Sequence, residues 1–138
     1  MAFATRTLID TGSTATGSGK IVIMCDFNNH DGTGIILDGS GIDAFANNAN
    51  VSIRRIRWGL VSGDISEDGS GSILITFEVP SGTDISAIRL AGSGYYDGPG
   101  INGSHAGTGV TSADVNAVAV HATGFAMIEF SKTSGFTA

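Results

Sequence analysis

The sequence predicts an all-β domain: a β-sandwich, jelly-roll-like, of about seven to nine short strands with an extended N-terminal arm. Three observations lead there. Apolar residues come in short runs that alternate with polar ones, the period of a half-buried strand. The 21 glycines are spread along the chain, with only 2 prolines, and so mark many turns rather than one linker. Charged residues make up 14% of the 138 residues, against about 25% in an average domain. The surface is therefore supplied largely by Ser, Thr, Asn and Gly.

Residues 1–19 read as the arm and a flexible loop, and residues 20–138 as one sandwich domain. Residues 3–9 suit a first strand or an extended arm. Residues 11–19 are a Thr/Ser/Gly/Ala loop. Residues 20–27 alternate Ile21, Ile23 and Cys25 against Val22, Met24 and Asp26. Residues 28–34 read as a turn around Asp31-Gly32, with strand resuming at 35–37. Residues 42–49 suit a single helical turn. In residues 51–60, Val51 and Ile53 are out of phase with Ile56, Trp58 and Leu60. One bulge near Arg54-Arg55 puts all five on one face and leaves the arginines off the core. Residues 62–71 form a polar loop. Ile73, Ile75 and Phe77 alternate in a strand over 72–79. A turn at Pro80-Ser81-Gly82 leads to a strand over 85–90. Residues 95–109 read as a long glycine-rich loop. Residues 112–122 fit a helix face or a strand, and their β-branched valines favour strand. The last strand, 124–132, carries Ala126, Ile128 and Phe130 on one face; residues 133–138 are a tail.

A net charge of −6 argues against general nucleic-acid binding, which needs a basic surface. No run approaches the roughly 20 apolar residues of a membrane helix. Residues 1–10 lack the apolar stretch of a secretory signal. With Cys25 as the only cysteine, no internal disulfide forms.

Several motifs approach a chemical pattern and miss it. Residues 12–20 resemble a phosphate loop, but the Gly-Lys-Ser/Thr spacing fails and a strand follows where a helix is needed. Residues 98–103 match G-x-G-x-x-G without the strand and helix of a dinucleotide site. Asp64, Ser66 and Asp68 resemble the start of a calcium loop, but the closing position is Ile75 rather than Glu. His30, His105 and His121 share no ligand spacing. Cys25, mid-strand, reads as a small core residue; a nucleophile is the other reading. No carboxylate pair stands out for acid–base work. The expectation is a protein with no catalytic residues, no metal and no cofactor.

Three of the seven basic residues, Arg54, Arg55 and Arg57, fall within four positions. They form a solvated face or pair with carboxylates of a neighbouring subunit. Trp58 reads as a core anchor, or as a stacking platform for a sugar or base. Tyr95 and Tyr96, with Asp97, offer rings for sugar stacking.

The segments "VSIRRIRWGL", "SILITFEV", "AIRLAGSGYYD" and "VHATGFAMIEFSK" together resemble small virion structural proteins of tailed bacteriophages, of the capsid decoration or cement kind. Arg55, Trp58, Gly92, Gly94, Gly124 and Lys132 carry the match, within residues 51–132; residues 1–50 are not matched. The resemblance implies a viral structural protein made in the host cytoplasm and mounted on the outer capsid surface. It would be a homo-oligomer, a trimer favoured, docked on the major capsid protein. Neither nucleic acid nor a membrane is an expected partner. The expected partner-binding residues are Arg54, Arg55, Arg57, Tyr95 and Tyr96, with Phe3, Thr5 and Thr7 of an arm that adds a strand to a neighbour. The alternative is a carbohydrate-binding or receptor-binding module of a phage virion.

Overall fold

The computed structural model describes residues 2–12, 19–38, 50–62, 70–78, 84–102 and 114–134. These residues form seven antiparallel strands and no helix. They are β1 (Ala2–Thr11), β2 (Lys20–Leu37), β3 (Asn50–Ser62), β4 (Ser72–Phe77), β5 (Ile85–Ala91), β6 (Ser93–Asn102) and β7 (Val115–Ser134). All belong to one hydrogen-bonded sheet. Its main path runs β1-β2-β7-β3-β6, and β4 joins β7 to β5.

The long strands β2 and β7 explain why there is one sheet rather than two. They pair from Lys20 against Ser131 to Leu37 against Val115. Midway the ladder creases, with register slips between Phe27 and His30 and between His30 and Gly32. Asn29 (φ 46°), Gly32 (φ 112°), His121 (φ 41°) and Gly124 (φ 137°) leave extended geometry there. Asn29 N–H donates to Thr123 Oγ1 at 2.9 Å, and Asn29 Oδ1 lies 3.1 Å from His121 Nδ1. At the crease the other edge of β7 changes partner. Residues 115–120 pair with β4 and residues 122–134 with β3. The sheet thus has two halves that share β2 and β7.

Both halves contribute side chains to one core. Ile21, Ile23 and Cys25 enter from β2, Ile53, Ile56 and Leu60 from β3, and Ile73, Ile75 and Phe77 from β4; all are buried. Where β7 pairs with β4, its inward alanines face large neighbours. Ala119 sits opposite Ile73 and Ala117 opposite Ile75. Each Ile or Phe so placed contributes about 1.5–3 kcal/mol from apolar burial. Lys132 is buried beside this core. Its Nζ lies 2.8 Å from Asp10 Oδ1 and donates to the Gly12 carbonyl at 3.0 Å. The end of β1 is thereby tied to β7 across β2.

The all-β class and the bulge in β3 match the sequence reading. Register slips between Ile53 and Arg55, leaving Val51, Ile53, Ile56 and Leu60 buried and all three arginines exposed. Other expectations are corrected. The turn at 28–34 is a crease inside β2, because strand pairing to β7 resumes beyond it. Residues 95–102 are not loop but strand β6, held by ladder bonds to β3 that need no apolar alternation. Residues 115–120 are strand as expected, but Val118 faces out while Val115, Ala117 and Ala119 are buried. The expected helical turn at 42–49 and most of the expected loops lie outside the described residues, as do 103–109 and 135–138.

Candidate functional site

Alternation along β2, β7, β3 and β6 places one set of side chains on the face opposite the core. Register then lines them up in rows across the strands. One row reads Ile9, Val22, Glu129, Arg55, Asp97; the next reads Arg6, Met24, Met127, Arg57, Tyr95. Between these rows lies a recess of about 180 Å³. Val22 and Met127 give it an apolar lining, and Arg55, Arg57, Tyr95 and Glu129 complete it.

The two arginines of the recess have different surroundings. The Arg55 guanidinium pairs with Glu129 and lies 3.4 Å from Asp97. Glu129 first, and then Asp97, hold its proton more firmly than usual. Lys20, at 3.7 Å, also faces Glu129. Arg57 instead lies over the Tyr95 ring, 5.3 Å from its centroid. Such a contact contributes about 0.5–1 kcal/mol at an exposed position. Among the described residues Arg57 makes no ion pair. Tyr95 is 53% exposed, and its hydroxyl is 3.4 Å from Asp97 Oδ2. The site therefore offers an apolar lining, one aromatic ring and one cation without a carboxylate.

The structure divides the residues predicted from sequence. It brings Arg55, Arg57 and Tyr95 together. Arg54, at the bulge, is exposed but does not line the recess. Tyr96 lies on the other face of β6, packed against the core, with its hydroxyl donating to the Pro99 carbonyl. Thr5 and Thr7 are exposed on β1, in register with core residues Cys25 and Ile23 and so on the face away from the recess. Phe3 packs into β2, its ring 5.1 Å from both Phe27 and His30 and lying over Gly34. The segment proposed as an arm is thus the edge strand of the chain's own sheet. Val22, Met127 and Glu129 were missed, because only the long-range register of β2 and β7 brings them beside the arginines.

The remaining candidates resolve as follows. Trp58 is half-buried against the core, and its Nε1–H donates to the Ala91 carbonyl at 3.0 Å. Cys25 has no exposed surface, and burial first, then Asp26, pushes its thiol up to about 12. A thiol so buried lacks the electropositive, partly exposed setting of a reactive cysteine. Among the described residues no three His, Cys, Asp or Glu side chains are grouped to hold a metal ion. The sequence matches no protein-family model and no curated protein, and the fold matches no solved structure.

Proposed function

We propose that this chain is a non-catalytic structural module that docks onto a larger protein assembly through the outer face of β2, β7, β3 and β6. The observation that carries the reading is the recess itself: arginine and tyrosine side chains around an apolar lining, on the outer face of the sheet. Arg and Tyr are the residue types that dominate binding energy at protein interfaces. The assembly implied by the resemblance is the shell of a tailed-phage capsid, with this protein on its outer surface as a homo-oligomer, a trimer favoured.

Co-sedimentation of the purified protein with phage capsid shells tests this. Saturable binding at a stoichiometry set by the shell lattice is expected, and the double substitution Arg57→Glu, Tyr95→Ala should weaken it by about tenfold or more. A well-folded protein that never sediments with shells would overturn the reading. One observation favours a second reading, a sugar-binding module: the exposed Tyr95 ring stands beside Asp97. It predicts glycan binding that Tyr95→Ala abolishes. A glycan array without hits would remove it.

A further inference from the structure

We propose that the recess beside Arg57 is a socket for one acidic-apolar element of a protein partner: a carboxylate that pairs with Arg57, joined to an apolar group that covers Val22 and Met127. The proposal rests on the docking reading and specifies its chemistry.

Three observations converge. The first is charge. In the row Arg6, Met24, Met127, Arg57, Tyr95 there are two cations and no carboxylate. The carboxylates of the adjacent row are already matched, Glu129 by Arg55 and Lys20, and Asp97 by Arg55. An incoming anion therefore finds its partner at Arg57. The second is position. Arg57 Cζ lies 5.3 Å from the Tyr95 ring centroid, a contact that commits none of its N–H groups to a carboxylate, and a guanidinium takes a carboxylate bidentately through those groups. The third is size. About 180 Å³ is smaller than the roughly 300–1,000 Å³ of small-molecule sites, and it suits a side chain rather than a whole metabolite. The thioether of Met127 adapts to varied apolar shapes, so the socket selects for charge and bulk more than for outline.

The test uses the whole chain and two probes, 4-methylpentanoate and its uncharged amide, followed by NMR at the Met127 methyl and the Tyr95 ring. The carboxylate should give saturable shifts there and bind about tenfold or more tightly than the amide. Arg57→Gln should abolish the difference between the probes, Arg57→Lys should keep part of it, and Arg54→Gln, an equal loss of charge outside the recess, should leave it unchanged. Equal binding of acid and amide, shifts that persist unaltered in Arg57→Gln, or no shifts at all would each overturn the socket. Shifts with glucose and none with the carboxylate would overturn it in favour of a sugar site. Capsid sedimentation separates the two levels. Shells that bind a protein with no response to the probe reject the socket and keep the docking reading. A responsive socket on a protein that binds no shell does the reverse.

Discussion

Cys25 sits in the middle of β2 with no exposed surface, and its thiol is pushed up to about 12 from a usual value of 9.0. In the unfolded chain the same thiol ionises near its ordinary value, so above that pH the folded state holds more protons than the unfolded state. Stability is then fully present below about pH 9 and falls as pH rises toward about 12, by up to about 1.4 kcal/mol per unit. Urea unfolding of the wild type and of Cys25→Ala across this range should show a steeper alkaline loss in the wild type. Parallel curves would mean that the thiol is not shielded as the structure places it. Position alone made this residue legible in the sequence: Cys25 alternates with Ile21 and Ile23, and the core reading followed. Trp58 was legible for the same reason. The charged neighbours of Arg55 were not, because Glu129 is 74 residues away in the chain and nothing local marks it.

At the scale of the element, local pattern revealed the strands whose two faces differ in chemistry and concealed the others. Strand β3 announces its bulge because its apolar residues change phase at Arg54. Strand β6, with the sequence SGYYDGPGIN, reads as loop; it is an edge strand held by its ladder to β3. The crease in β2 reads as a turn because Asn, Asp and Gly mark any local bend, whether or not the strand continues. Only the matching bend in β7 shows that it does. That crease makes a prediction about two glycines. Gly32 has a positive φ with open space around it, so an added methyl meets strain alone, costing about 1–3 kcal/mol. Gly124 has both a positive φ and a close neighbour: a Cβ there would lie 2.0 Å from the Gly59 carbonyl oxygen. Gly124→Ala should therefore lower the urea midpoint further than Gly32→Ala, with the same slope. Equal losses would mean that β3 yields at Gly59 without cost.

For the whole molecule, the order of strands in space sets which truncations the fold survives. Strand β7 is the last of the described strands and pairs with β2, β3 and β4, so it alone joins the pairs β1-β2, β3-β6 and β4-β5 into one sheet. A chain ending at residue 114 should lack a cooperative unfolding transition, because both halves then lose their shared strand. Long-range pairing of this kind also predicts folding in about milliseconds to seconds rather than microseconds. Strand β1 is different, since it pairs with β2 alone. Its removal leaves the central ladders intact but takes Asp10 and the Gly12 carbonyl away from Lys132, whose side chain has no exposed surface. Breaking one side of a buried ion pair costs about 3–5 kcal/mol, whereas replacing the charge by an apolar group of similar volume is often neutral or stabilising. Deleting residues 1–12 should therefore destabilise the protein, and adding Lys132→Met to that deletion should restore the part of the loss that comes from the broken Asp10–Lys132 pair. Urea unfolding of the two truncated proteins decides the matter. If the added methionine leaves the midpoint where it was, the loss came from the β1 ladder and the packing of Phe3, and the broken Asp10–Lys132 pair was not its cause.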